Sequence, residues 1–367
     1  MPSYADLNPQ GALAKEWADD DPARRRAVER LLALREALRS DAGPPPRTPG
    51  TLVLGTWNLR EFDSESWGER LPESYAYIAE VIDRFDLVAV QEVRSDLRAL
   101  ERLLRRLGPD WRYLVSDVTE GKAGNRERLA FLYDTSKVRF LGVAGELVLP
   151  PVSQGGADVP ATQVARTPLM ASFQVGWTKF VLATVHIIYG EDSAEPRARV
   201  DEIREVARFL RDRTEDPVEP IRNLILLGDF NIFTSGDATM RAIAEDGGFS
   251  VPDAVRTLAG TNVARDKKYD QIAFRSSGGH FQATGRAGAF DFYEHVFNDA
   301  DVYRPYIDAY IDARRRAGHD SPKPPEDAAA ARRQFNLWRT YQMSDHLPLW
   351  AEFRVDFADD YLRGLGA

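Results

Sequence analysis

The chain has 367 residues, 43% of them hydrophobic and 29% charged, which is enough to bury a large core and argues against a disordered or purely structural chain. It contains no cysteine, so disulfides, thiolate metal sites and cysteine nucleophiles are excluded, and any metal must be held by oxygen or imidazole, as hard ions such as Mg²⁺ or Mn²⁺ are. With 48 basic and 57 acidic side chains the net charge is −9, which argues against a general coat for polyanions but not against a local phosphate site built from arginines and a bound cation.

The amino terminus, MPSYADLNPQ, lacks the basic and apolar regions of a secretory signal, and no stretch reaches the roughly 18 apolar residues of a membrane span. A cytoplasmic protein is expected. Residues 22–40 bring Val28, Leu31, Leu32, Leu34 and Leu38 near one helical stripe, which reads as a docking helix for this domain or for a protein partner. The proline-rich segment AGPPPRTPG (42–50) cannot continue that helix, so the compact body is expected to begin near Thr51.

From there short apolar runs alternate with arginine-rich helical patterns: TLVLGTWNL, DLVAVQEV, RYLVSDV, RLAFLYD, KFVLATVHII, NLILLGDF and YDQIAF read as buried strands. Helices are expected over 72–84, 95–107 and 197–213, the last with Val200, Ile203, Val206, Ala207 and Leu210 on one face. Residues 291–343 read as a long helical excursion between the last core strands, too long for an ordinary loop, which either covers a site or packs a partner. The expected fold is α+β: a four-layer sandwich of two packed, mainly antiparallel sheets with outer helices. The expected division is a helical extension and linker over 1–50, a main domain over 51–356 with its insertion at about 291–343, and a tail over 357–367.

The chemistry sits at the ends of the apolar runs, where a rigid strand positions the residue that follows it. Asn58 follows TLVLGTW, Glu92 follows DLVAVQ, His186 follows FVLATV, Asp229 and Asn231 follow LILLG, Asp270 precedes QIAF, and Asp345 and His346 precede LPLW. Carboxylates and amides that hold a hard cation, beside imidazoles that move protons near neutral pH, describe a metal-assisted phosphate site. Asn58, Glu92 and Asp345 are the candidate ligands. In Gly228-Asp229-Phe230-Asn231 the glycine allows a tight turn, Asp229 is suited to orient or deprotonate water, and Asn231 to donate to phosphate. Of the five histidines, His280, His295 and His319 are read as structural or surface residues.

The segments TWNLREF, FDLVAVQEVRSDL, NRERLAFLYDTSKVRFL, ARTPL, VLATVHI, LLGDFN, YDQIAF, FDF and SDHLPL resemble, in order, those of the endonuclease/exonuclease/phosphatase superfamily, and within it the pancreatic-type deoxyribonucleases. The resemblance covers roughly residues 51–356 and implies a deoxyribonuclease-like fold. It implies that Glu92 is the direct metal ligand, with Asn58 beside it and Asp345 completing a shared or second position. It further implies that Asp229 and Asn231 handle water and phosphate, that Asp270 pairs with His346, and that Glu127 pairs with His186. Arg166 corresponds to a phosphate-contacting arginine, and Arg60 and Arg94 to arginines facing a nucleic-acid strand; guanidinium suits phosphate because its planar donors bind two oxygens at once. A family tyrosine that stacks on DNA sugar is replaced here by Asn125.

The expected function is therefore a Mg²⁺- or Mn²⁺-dependent phosphodiesterase, a nuclease cutting DNA or RNA. Alternatives are a hydrolase of small phosphoesters such as inositol phosphates or sphingomyelin, and an inactive binding module. A protein partner is expected, if at all, through residues 22–40 or 291–343.

Overall fold

The computed structural model describes residues 1–11, 17, 21–62, 69–120, 124–154, 157–159, 161–191, 193–216, 218, 221–276, 279, 281–298, 306, 308, 311–312, 314–315, 318 and 325–365. His280, His319 and most of residues 299–324 lie outside the described residues. Among the described residues no helix is long and apolar enough to cross a membrane.

Two mixed sheets form the body. The first contains, in spatial order, β12 (Gln282–Ala289), β13 (Leu349–Arg354), β1 (Thr51–Phe62), β2 (Leu87–Arg94), β4 (Glu127–Asp134) and β3 (Trp111–Val115). The second contains β11 (Asp270–Arg275), β10 (Leu224–Asp229), β9 (Thr178–His186), β8 (Leu169–Val175) and β5 (Arg139–Glu146). A short hairpin, β6 (Val152–Gln154) and β7 (Ala157–Val159), stands apart. Each large sheet is antiparallel except at one central pair, β1 with β2 and β9 with β10. The mainly antiparallel sandwich expected from the sequence is the fold observed.

β1 shows why its run is apolar throughout. Leu52 and Leu54 face the second sheet, in a core shared with Phe173, Leu182, Leu226 and Ile272. Val53, Trp57 and Leu59 face the other way, into a second core with the helices. A strand covered on both faces cannot alternate apolar with polar. At Gly55 the cover is so close that a Cβ would stand 2.8 Å from the Phe85 ring.

Helices α1 (Asp21–Arg39), α2 (Pro72–Ile82) and α3 (Arg98–Leu107) lie outside the first sheet, and α4 (Arg197–Glu215) outside the second. α4 buries Val200, Ile203, Val206, Ala207 and Leu210, the five positions expected from the sequence. α1 corrects the expected stripe. Ala27, Leu31, Leu34 and Leu38 are buried against α2, whereas Leu32 is 64% exposed and Val28 is also exposed. The spacing i, i+4, i+7, i+11 keeps a narrow seam facing one neighbour, and Val28 and Leu32 fall outside it.

The described residues of the excursion pack within the molecule. Phe292 lies 5.4 Å from Trp57, Phe297 lies 5.5 Å from Tyr77, and Tyr306 lies 5.1 Å from Trp338, all between ring centroids. Trp338 and Phe335 are buried on the helix Ala328–Gln342, whose capping residue Asp327 accepts from the Ala330 N–H at 2.6 Å. Aromatic side chains that bury large areas thus make this segment part of the outer core of the first sheet.

Candidate active site

The parallel pairs place the site. Strands β1, β2, β9 and β10 end on the same rim of the sandwich, and their last residues carry Asn58, Glu92, His186 and Asp229. The antiparallel strands β11 and β13 begin there, with Asp270 as the first residue of one and His346 just before the other. Six strand-end residues scattered over almost 300 positions of sequence therefore meet at one edge.

Local backbone irregularities aim them. Register shifts interrupt the pairing of β2 with β1 and with β4 around Glu92, whose φ is +60°. Such a bulge re-aims a side chain at the end of a ladder, while Gln91 stays between the sheets, bonded to Thr184 at 3.0 Å. Arg60 and Glu61 also have positive φ, +36° and +42°, and the Asn58 Oδ1 accepts from the Arg60 N–H at 2.8 Å. Gly228 serves closeness of strands rather than a tight turn: its φ is +136° and a Cβ would stand 2.1 Å from the Val185 carbonyl oxygen.

Asp229 is the hub. Its Oδ2 accepts from Asn58 Nδ2 at 3.1 Å and lies 3.5 Å from His186 Nε2 and 3.7 Å from His346 Nε2. Its Oδ1 accepts from the Asn231 N–H at 2.9 Å. Each imidazole is backed by a second carboxylate. His346 Nδ1 is 2.8 Å from Asp270 Oδ2, and His186 Nδ1 is 2.8 Å from Glu127 Oε1, at contact distance but off the line of a hydrogen bond. Arg166 pairs with the same Glu127 oxygen.

All of these except Arg166 are buried, so their charges act in a poorly screened setting. Burial lowers the proton affinity of His346, but the Asp270 and Asp229 carboxylates more than offset it and hold its pKa well above that of a free imidazole. His186 is raised too, because Glu127 and Asp229 outweigh burial and the Arg166 charge. Burial also pushes up the Glu92 carboxyl, against the attraction of His186.

Glu92, Glu127 and His186 bring one potential ligand atom each within 4.8 Å of one another, as do Asp229, Asp270 and His346. The donors are oxygen and imidazole, which fits a hard divalent cation. Asn58 turns its amide nitrogen, a donor, toward Glu92 Oε1 at 2.8 Å, and Glu92 Oε2 accepts from the Glu61 N–H at 2.6 Å. Asp345 is in neither cluster; its carboxylate is 42% exposed and lies 3.3 Å from Arg60 Nη1. Arg94, half-buried at the end of β2, makes no ion pair or side-chain hydrogen bond among the described residues.

Residues 55–247 match the family described as "Endonuclease/Exonuclease/phosphatase family", more than half of the chain. The chain belongs to this family. Within the endonuclease/exonuclease/phosphatase family it is similar to "Deoxyribonuclease" of Thioalkalivibrio sp. (strain K90mix), 32% identical over 235 residues, or 62% of this chain and 58% of that protein. It is also 26% identical to "Deoxyribonuclease-1" of Bos taurus over 260 residues, covering 66% of this chain and 84% of the relative. A functionally unknown conserved protein from Enterococcus faecalis V583 shares the fold, with a TM-score of 0.52 at 18% identity over 83% of this chain and all of the other.

One buried residue in the site's support was not anticipated. Arg199, inside α4, donates to the carbonyls of Asn231 at 2.9 Å, Ser193 at 3.1 Å, Glu191 at 3.2 Å and Ile188 at 3.3 Å. It thereby ties together the segments that follow His186 and Asp229. In sequence it is one more arginine in an arginine-rich helix.

Proposed function

We propose that the protein is a divalent-metal-dependent phosphodiesterase, specifically an endonuclease that hydrolyses DNA or RNA by in-line attack of water. The observation that carries this reading is the convergence of two carboxylate-backed imidazoles, His186 and His346, on the single carboxylate of Asp229.

Asp229 orients the attacking water and accepts its proton. Asn231 gives one amide N–H to the Ile187 carbonyl at 2.8 Å and has a second for a phosphate oxygen. His346 and His186, whose neighbouring carboxylates favour the protonated ring, donate to the phosphate and to the departing oxygen, which needs a proton as its bond to phosphorus breaks. Arg166, 11% exposed, adds positive charge at the rim, and Arg94 has a side chain available for a neighbouring phosphate. Glu92 would hold Mg²⁺ or Mn²⁺, with Asn58 and Asp345 as the further candidates, and such an ion when bound neutralises charge on the phosphate oxygens. The catalytic unit in this proposal is residues 51–356.

The deoxyribonuclease relatives favour nucleic acid as substrate. A second reading, hydrolysis of small phosphoesters, is favoured by the net charge of −9. Incubating purified protein with supercoiled plasmid, single-stranded DNA, RNA and a panel of phosphomonoesters, each with Mg²⁺, Mn²⁺ or EDTA, separates the two. Metal-dependent cutting of a polymer that an Asp229→Ala variant lacks supports the nuclease; intact polymers with phosphate released from the small esters support the second reading.

A further inference from the structure

The end of the helix Ala328–Gln342 closes on Arg60. Arg60 Nη1 donates to Thr340 Oγ1 and lies 3.3 Å from Asp345 Oδ2, while Nη2 donates to the Tyr341 hydroxyl at 3.0 Å. The guanidinium carbon also stands 4.0 Å from the centre of the Tyr341 ring. The backbone is held as firmly: the Arg60 N–H donates to Asn58 Oδ1, and the carbonyl accepts from Arg70 Nη2 at 3.0 Å.

An arginine that grips a phosphodiester offers two parallel N–H groups to two oxygens. In Arg60 both terminal nitrogens already have acceptors from this chain, and only 21% of the side chain is exposed. Ser344, one residue before Asp345, donates to the Asn58 carbonyl at 2.5 Å, and its Oγ accepts from the His346 N–H at 2.9 Å. The segment from Tyr341 to His346 is therefore fixed to the end of β1 at both ends, and Arg60 is the contact that reaches the one exposed carboxylate in it.

We propose that Arg60 is a positioning residue rather than a phosphate contact: with Thr340 and Tyr341 it forms a clasp through which the insertion helix sets Asp345 at the edge of the active site. This rests on the reading of the site as a phosphodiester-hydrolysing centre. A carboxylate released from the clasp would be free to swing, and a misplacement of about 1 Å at a reacting centre can cost roughly a hundredfold in rate.

The test compares wild type with Arg60→Ala, Arg60→Lys and Tyr341→Phe on a labelled DNA oligonucleotide and on bis(4-nitrophenyl) phosphate, a diester too small to reach along the cleft. Binding of the oligonucleotide is measured in EDTA at several salt concentrations. The clasp predicts that Arg60→Ala lowers kcat about ten- to a hundredfold on both substrates, leaves KM for the oligonucleotide unchanged, and leaves the salt dependence of binding unchanged. Arg60→Lys does not restore kcat, and Tyr341→Phe, which keeps the ring, lowers it in the same direction by less.

A phosphate contact predicts the opposite. KM for the oligonucleotide rises, the slope of log binding constant against log salt falls by about 0.9 for a duplex or 0.7 for a single strand, and the small diester is unaffected; that result overturns the clasp. If Arg60→Ala does not fold, Tyr341→Phe decides: a lowered kcat on both substrates supports the clasp, and an unchanged kcat on both overturns it. Should wild type hydrolyse the small diester and leave every polymer intact, the nuclease reading fails, and the clasp is judged by kcat on the small diester.

Discussion

Asn58 and Asp229 sit on different sheets, 171 residues apart in the chain, and a 3.1 Å hydrogen bond joins their side chains. The same amide nitrogen of Asn58 also donates to Glu92 at 2.8 Å. One uncharged donor thus spaces two carboxylates that would otherwise repel at close range. Replacing Asn58 with Ala should lower kcat by about two orders of magnitude, the scale of losing one aimed donor in a catalytic site, with an unchanged far-UV circular dichroism spectrum. Full activity in that variant would show that the bridge is dispensable.

Asp270 offers a cleaner test of proton handling. It is fully buried, and its Oδ2 meets His346 Nδ1 at 2.8 Å. Asp270→Asn keeps the shape but removes the carboxylate charge and replaces one acceptor oxygen by a donor NH2, so the ring proton is no longer held on Nδ1 and turnover should fall by roughly 10²- to 10⁴-fold. Steady-state kinetics on the best polymer or diester substrate provide the check, and His346→Ala should lose at least as much.

Gly228→Ala should be poorly tolerated for a reason outside the chemistry. The new Cβ would meet the Val185 carbonyl oxygen at 2.1 Å on a backbone with φ of +136°. Overpacking alone costs about 1–3 kcal/mol, and the backbone conformation adds to it. Urea unfolding should show the midpoint moving down, with no comparable change for Gly145→Ala on β5, where nothing lies within 4 Å of the new atom and the backbone is not in the positive-φ region.

The sequence made the buried strands and their polar ends readable because both signals are local. An apolar run such as LILLG followed by Asp229 carries its own meaning, and so does the seam on α4. Two edge strands, β5 and β12, were not readable: β5 is largely exposed and β12 has an exposed, glycine-containing pattern, so neither shows the alternation that marks a half-buried strand. α1 was found, but its exact seam depends on which neighbour covers it. Within the site, Glu127 and Asp270 as partners of the histidines came from family resemblance, since each partnership spans dozens of residues. The bulge at Glu92 and the contact of Arg60 with Thr340 have no local signature, because register shifts and a helix docked 280 residues later create them.

The proline-rich linker also has an anchor that its composition hides. Arg47 pairs with Asp134 and lies 3.2 Å from Asp86 Oδ1, a carboxylate with no solvent exposure. Arg47→Ala should lower stability by about 1–3 kcal/mol, the usual cost of leaving a buried polar group short of a partner, with Lys137, 2.6 Å from Asp86, limiting the loss. Thermal or denaturant unfolding reads the effect, and no change in midpoint would mean that the linker is not held through this residue.

In the proposed mechanism, water aligned by Asp229 between His186 and His346 attacks phosphorus directly. Hydrolysis of a DNA or RNA oligonucleotide with Mg²⁺ in ¹⁸O-labelled water, followed by mass spectrometry of the products, tests it. Direct attack gives one ¹⁸O atom in each newly formed phosphate terminus and no product from Asp229→Asn; unlabelled termini, a cyclic phosphate from RNA, or full activity in that variant would rule it out.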